Sequence, residues 1–250
     1  MHRFDRPSLI RLVRSVNQAA RHRSREDRVS LFVAHQGLHY RRRLMFVGRA
    51  TNGWDHPWTP FRAFSLATVR RIVARALEWT VPDNKARRYC PMSWIQQRWG
   101  KNGMRSLKKS AFLRLARELV IELESLPESQ VDVAWQSSLV WSNLYKVAPA
   151  TRGNPSVRLC DLQLRWCVQV LREEVEHWRP QFLVLATGLD WADDFIRAIA
   201  RRGSWRRKPR SRYLQAHGVL KTGGRFVVVP HPQGRRMKKV VAAALAGLTM

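Results

Sequence analysis

Four short apolar segments of this sequence are each followed directly by residues that can form hydrogen bonds with a ligand. LMFV is followed by GRATNGW from Gly48, LVW by Ser142 and Asn143, FLVL by ATGLDWA, and RFVVV by Pro230 and His231. Amide and imidazole side chains both donate and accept hydrogen bonds, and glycine lets a ligand approach the backbone. In open α/β sheets, sites form where loops leave the carboxyl ends of the strands. The sequence therefore predicts a site assembled from several of these tails.

The elements that must position these tails follow from the hydrophobic spacing. We predict strands from short apolar runs bounded by turn residues, at 44–47, 139–141, 182–185 and 225–229. Apolar residues at helical spacing predict helices between them, at 65–79, 110–126, 159–178, 190–201 and 237–248. Strands that alternate with amphipathic helices favour a parallel sheet covered on both faces. The expected fold class is α/β, a three-layer α/β/α sandwich with a mainly parallel central sheet of about four strands.

The charge balance restricts the partners. The 250 residues include 46 Lys and Arg against 18 Asp and Glu, a formal net charge of +28. Such a chain attracts polyanions, and DNA or RNA is the commonest partner, although charge alone does not choose between nucleic acid and an anionic membrane. No apolar run reaches the length of a spanning helix, and the first residues lack the apolar core of a secretory signal. With three cysteines and no even disulfide framework, we expect a cytoplasmic, nucleoid-associated monomer that binds DNA rather than membrane.

The chain divides into two expected parts. Residues 1–35 form a basic helical extension whose apolar residues, Leu9, Leu12, Val13 and Val16, share one helix face. Residues 36–250 form a single α/β domain. An insertion is expected around 80–110, where turn residues, charges and large aromatics interrupt the strand–helix pattern.

The order of the strand tails resembles the uracil-DNA glycosylase superfamily. The resemblance lies in Gly48-Arg49-Ala50-Thr51 after the first strand, in Trp141-Ser142-Asn143-Leu144-Tyr145-Lys146, and in His231-Pro232-Gln233 near the C-terminus. Between them, the helix with Cys160-Asp161-Leu162 and the segment RPQFLVLATG from Arg179 are similar to the family's helix and following strand. This similarity covers roughly residues 40 to 245. It implies a uracil-DNA glycosylase-like fold and an enzyme that hydrolyses the N-glycosidic bond of uracil or another deaminated base, with no metal or organic cofactor.

The resemblance also implies residues that bind and stabilise the base. A base in duplex DNA must be extruded into a pocket before an enzyme can act on it. The amide of Asn143 would read the pyrimidine edge, because it both donates and accepts hydrogen bonds. Phe61 would stack on the flipped base, with Phe64 as a substitute. His231 would stabilise the negative charge that builds on the base as the glycosidic bond breaks.

The loop that begins at Gly48 would supply backbone contacts and the water. The amides around Ala50 and Thr51 would position the base or a water molecule. This loop departs from the family pattern, since Thr51 replaces a proline and Ala50 stands where some members have an acid or amide that activates water. Asn52 and Asp55 are the nearby polar candidates, and we expect Asp55 to be the general base.

Basic residues outside these loops would meet the phosphates. Arg235, Arg236 and Lys238 follow His231 directly, and a stretch around Arg206 and Arg207 combines cations with a tryptophan.

Two alternatives stay open on the sequence. The first is a catalytically inactive relative of the same fold that binds nucleic acid, which the substitutions at Ala50 and Thr51 favour. The second is an unrelated α/β hydrolase or nucleotide-processing enzyme with a basic RNA-binding surface. Some branches of the superfamily hold a four-cysteine iron–sulfur cluster, which the three cysteines of this chain could not ligate alone.

Overall fold

The computed structural model describes residues 6–19, 28–60, 64–78, 80, 90–99, 107–124, 135–151, 153–208 and 210–250. Within them lie seven α-helices: α1 Arg6–Gln18, α2 Leu66–Leu77, α3 Ser93–Trp99, α4 Ala111–Glu124, α5 Val157–Trp178, α6 Leu189–Ile199 and α7 Met237–Thr249. The strands are β1 Val29–Leu31, β2 His35–Gln36, β3 Leu44–Gly48, β4 Leu139–Asn143, β5 Val147–Pro149, β6 Phe182–Ala186, β7 Arg206–Arg207, β8 Ala216–Val219 and β9 Arg225–Val229. The fold is therefore mixed α/β.

The main sheet has seven strands in the order β2-β4-β3-β6-β9-β8-β7. The four central strands β4, β3, β6 and β9 run parallel, and the outer strands β2, β8 and β7 pair antiparallel. The four predicted strands are these four central ones. The expectation of about four strands was too low, because the edge strands are two to four residues long and carry no apolar run.

Helices cover both faces of this sheet. Along β3, Met45 and Val47 face a core that includes α1, α2, α5 and α6. Leu44 and Phe46 face a second core, formed with α3, α4 and α7. This alternation places successive side chains on opposite faces of a sheet that is buried on both sides. Helices α2 and α5, which pack in the first core, begin at serine N-caps. The side chains of Ser65 and Ser156 accept hydrogen bonds from backbone amides of the first turn.

The N-terminal segment packs onto the rest of the fold. The apolar face predicted for α1 is buried in the first core, against α5 and α2. Strand β1 then pairs with β5, and β2 adds to the edge of the main sheet beside β4. In the region of the expected insertion, the described residues form α3, whose Ile95 and Trp99 are buried in the second core. No helix in the described ranges is long and apolar enough to cross a membrane.

The order of the parallel strands creates a topological switch point between β3 and β6. The chain passes from β3 outward to β4 and then returns past β3 to β6 on its other side. The loops after β3 and β6 therefore leave the sheet in opposite directions. Open α/β sheets bind ligands in the crevice that such a reversal leaves at the carboxyl ends of the strands.

Candidate functional site

A cleft of about 1230 Å³ lies at the carboxyl ends of the parallel strands. It brings together tails of three strands that are far apart in sequence: the loop from Gly48 to Asp55 after β3, Asn143 at the end of β4, and His231 after β9. Of the residues expected at the site, seven line this cleft: Gly48, Ala50, Thr51, Asn52, Asp55, Asn143 and His231. Helix α3, the turn before α4 and the first turn of α4 line the rest of the cleft with Trp94, Arg98, Lys109 and Phe112.

Gly48 and Asn143 are neighbours in the sheet. The parallel register of β3 and β4 pairs them directly, each at the last position of its strand. A Cβ atom at position 48 would overlap the Oδ1 atom of Asn143, and it would lie 3.0 Å from the ring of Phe112. The absence of a side chain at Gly48 therefore makes room for the Asn143 amide between the two strand ends.

The Asn143 amide is buried without a partner. The residue is 1% exposed, and its Nδ2 atom makes no hydrogen bond to any part of the chain that the structure describes. Two more buried polar atoms on cleft-lining residues are also unpartnered, Thr51 Oγ1 and Trp141 Nε1. A buried donor that makes no hydrogen bond costs free energy, and native proteins contain few of them. Three in one cleft mark the place where a polar ligand would restore the missing hydrogen bonds.

His231 is held as a neutral imidazole. Burial and the nearby Arg49 guanidinium lower the pKa of His231 below its usual value. The backbone N–H of Gln233 donates to Nδ1 over 3.4 Å, so the proton of the neutral ring is on Nε2. The residue is thus a hydrogen-bond donor at neutral pH that carries no charge.

Arg49 spans the switch point. Its Nε donates to the carbonyl of Thr187 after β6 at 2.7 Å, and its guanidinium lies over the ring of Trp191, 5.0 Å from the ring centre. Desolvation lowers the pKa of Arg49, and Asp190 opposes that shift. The sequence motif contained Arg49, but its residue type alone gave no reason to single it out.

The polar residues expected to activate water occupy different positions. Asn52 is exposed, and its Oδ1 accepts a hydrogen bond from the Gly153 N–H at 2.6 Å, which ties the β3 loop to the loop after β5. Asp55 is exposed at the cleft and is the only carboxylate among its described lining residues. Ala50 lines the cleft but offers no side-chain hydrogen bond. Asp55 is therefore the better placed of the two candidates for a general base.

The aromatic residue beside Asn143 is Phe112. Phe61 lies outside the described residues, and Phe64 packs against the core on the α1 side of the sheet. Phe112, on the first turn of α4, lines the cleft next to Gly48 and packs on Phe46 with ring centres 4.6 Å apart. Sequence reasoning missed it because its helical spacing marked it only as part of an amphipathic helix.

The basic residues expected to bind phosphates fall into two groups. Arg235, Arg236 and Lys238 are exposed directly after the cleft-lining residue Gly234. Arg206 and Arg207 lie instead on the edge strand β7, four strands from β3, or about 19 Å at usual strand spacing. Arg207 pairs there with Asp193. The structure therefore brings only the first group to the mouth of the cleft.

Behind the cleft, on the opposite face of β4, lies a buried ion pair. Lys146 Nζ is 2.7 Å from Glu174 Oε1 on α5, and both side chains are 0% exposed. Ser142 completes the cluster, accepting from Lys146 and donating to Glu174. Among the described residues, no group of three or more His, Cys, Asp or Glu side chains could hold a metal ion.

Two comparisons with known proteins found no match. The chain matches no protein-family model, and no curated protein matches it. The α/β fold with a cleft at its switch point defines a broad class of ligand-binding and catalytic proteins. Within that class, function must be argued from the side chains of the cleft.

Proposed function

We propose that the protein is a divergent DNA glycosylase with a uracil-DNA glycosylase-like fold, which hydrolyses the N-glycosidic bond of uracil or another deaminated base flipped out of DNA. The observation that carries the proposal is the unpartnered amide of Asn143, buried beside Gly48 in the same cleft as a neutral His231. The net charge of +28 supports a DNA partner.

The Asn143 amide supplies base recognition. Uracil presents an acceptor and a donor on the edge where cytosine presents the reverse pattern, so a fixed amide favours one over the other. Binding a base gives the buried Nδ2 the acceptor that it lacks in the protein. Phe112, in contact range of the same strand end, offers a ring on which the base stacks.

His231 supplies electrostatic stabilisation. As the bond between C1′ and the base nitrogen breaks, the electron pair goes to the base, and negative charge develops on its oxygens. The Nε2–H of a neutral imidazole donates a hydrogen bond to such an oxygen, and the cation of Arg49 adds a favourable field. Water then adds to C1′ and loses a proton, for which Asp55 is the available carboxylate.

The first test is base excision on defined oligonucleotides that carry uracil, hypoxanthine or xanthine, followed by alkaline cleavage of the abasic product. We expect cleavage by the wild-type protein and a loss of roughly 100-fold or more in Asn143→Ala, comparable to the removal of a transition-state donor. Because the amide has no partner in the free protein, the unfolding free energy should change by less than about 1 kcal/mol.

The matched control for this test is Asn154→Ala, which removes another amide from the lining of the same cleft. We expect it to retain activity within a few-fold. Absence of excision on all three bases, or equal losses in the two variants, would contradict the proposal.

A second candidate is a nucleic-acid-binding relative that has lost catalysis. It is favoured by the lack of a polar side chain at Ala50 and by the engagement of Asn52 with Gly153. This candidate predicts tighter binding to DNA with uracil or an abasic site than to normal DNA, without turnover. Binding would then still depend on Asn143.

A further inference from the structure

The cleft is larger than one base requires. Pockets for drug-sized ligands usually occupy about 300–1000 Å³, and this cleft measures about 1230 Å³. Beside Asn143 and Phe112, its lining includes three tryptophans and several cations.

Three tryptophans form a cluster in this part of the cleft, in which the rings contact one another edge-to-face or at a tilt. Trp141 on β4, Trp54 in the loop after β3 and Trp94 on α3 have ring centres 5.7 to 6.0 Å apart, and each is partly exposed in the cleft. We call these three residues the tryptophan wall. Phe112 lies 6.1 Å from Trp141, so the wall continues directly from the ring beside Asn143.

Cations lie along the same part of the cleft. Arg98 is one helical turn after Trp94 on α3, and Lys109 and Arg114 flank the start of α4. All three are exposed, and no carboxylate within the described parts of the chain forms an ion pair with them. Their charge is therefore available to an anionic ligand.

Partly exposed aromatic rings, beside cations that pair with no described carboxylate, fit single-stranded nucleic acid. Bases of a duplex already stack on each other, whereas bases of a single strand have free faces, and aromatic side chains bind them with little regard to sequence. The cations meet the phosphates between the stacked bases. The cleft would then hold the target nucleotide at Asn143 and its neighbours along the wall.

We propose that the tryptophan wall and its three cations bind single-stranded DNA in preference to duplex DNA. The proposal rests on the DNA partner of the proposed function but not on catalysis. It assigns Trp94 a role in substrate specificity, as a side chain that stacks on a nucleotide next to the target.

The test measures binding to a fluorescein-labelled oligothymidine and to a duplex of equal length, both without damaged bases. We expect the single strand to bind more tightly than the duplex. Trp94→Leu should weaken single-strand binding roughly ten-fold while duplex binding stays within two-fold, and Trp94→Phe should retain most of the affinity because a ring remains.

The matched control is Trp166→Leu. This partly exposed tryptophan lies on α5, on the opposite face of the sheet from the cleft, and its loss should leave both affinities unchanged. Circular dichroism of each variant checks that it is folded. Equal affinity for the two DNA forms, or an equal effect of Trp94→Leu and Trp166→Leu, overturns the proposal even if bases are excised. If single-strand binding depends on the tryptophan wall but no base is excised, the binding proposal is supported and only the proposed glycosylase activity is contradicted.

Discussion

Strand β4 has buried polar groups on both faces. Those on one face are hydrogen-bonded, and those on the other face are not. On the α5 side, Lys146, Glu174 and Ser142 satisfy one another with hydrogen bonds of 2.7 to 2.8 Å. On the cleft side, Asn143 Nδ2 and Trp141 Nε1 are equally hidden from water but have no partner. A buried polar group needs a hydrogen bond to offset its desolvation. The first face has these hydrogen bonds within the chain, and on the second face we propose that a ligand supplies them.

The largest expected effect on stability comes from removing one partner of the hydrogen-bonded ion pair on the α5 side of β4. Lys146→Met leaves Glu174 as a buried carboxylate without a counter-charge, and we expect unfolding free energy to fall by about 3–5 kcal/mol. In the double variant Lys146→Met/Glu174→Gln no charge remains, and the new amide can still bind Ser142. Most of the loss should therefore be recovered. Urea denaturation measures both variants, and a single variant within about 1 kcal/mol of wild type would show that this face is not held by the pair.

A somewhat smaller effect concerns a titratable group on the cleft side. His35 faces the same side as Trp141, its partner in the β2–β4 register, and burial lowers the pKa of His35 to about 4. Between pH 6.5 and about 4, His35 is protonated in the unfolded chain but stays neutral in the folded chain. Stability should therefore fall by about 3 kcal/mol as the pH drops through this window, and this group contributes no slope above it.

The variant His35→Gln isolates that contribution. Glutamine keeps a donor for the Val33 carbonyl, which His35 contacts through Nδ1, but it does not titrate. The difference between wild type and variant, measured by urea denaturation at pH 7 and pH 4.5, gives the share of this one side chain. Parallel losses in the two proteins would mean that the imidazole takes up its proton without unfolding.

The smallest expected effect on stability tests whether Gly48 makes room for the unpartnered amide of Asn143. Gly48→Ala places a Cβ against the Asn143 amide and the Phe112 ring, and such overpacking costs about 1–3 kcal/mol. The same substitution in an Asn143→Ala background should cost less, because the amide is gone. A double-mutant cycle on unfolding free energies measures this coupling. Strict additivity would mean that Gly48 does not make room for the amide.

The convergence of the strand tails could be predicted from the sequence, whereas their surroundings could not. Gly48, Asn143 and His231 follow apolar runs, and parallel strands bring such tails to one edge by geometry alone. Phe112 and Trp94 reach the cleft from helices. The hydrophobic periodicity of a helix predicts which side chains are buried, but it does not predict which residues of other elements they contact. The stacking residue was therefore sought at Phe61, within the reach of the motif, and that position lies outside the described residues.

Fold details followed the same division. The central strands were predictable because each is a short apolar run. Strands β2 and β7 were not, because two-residue pairings such as Arg206–Arg207 depend on the neighbouring strand rather than on their own composition. The pairing of Lys146 with Glu174 was equally hidden, since 28 positions separate them and neither residue type indicates burial.

The bridge from Arg49 to Thr187 also bears on how the chain folds. It joins residues 138 positions apart, and the loop contact between Asn52 and Gly153 joins residues 101 apart. Closing such long loops costs entropy before the contacts can form, so structures rich in them fold slowly. The cleft therefore has no local precursor along the chain, and we expect it to assemble only when the central strands have already docked.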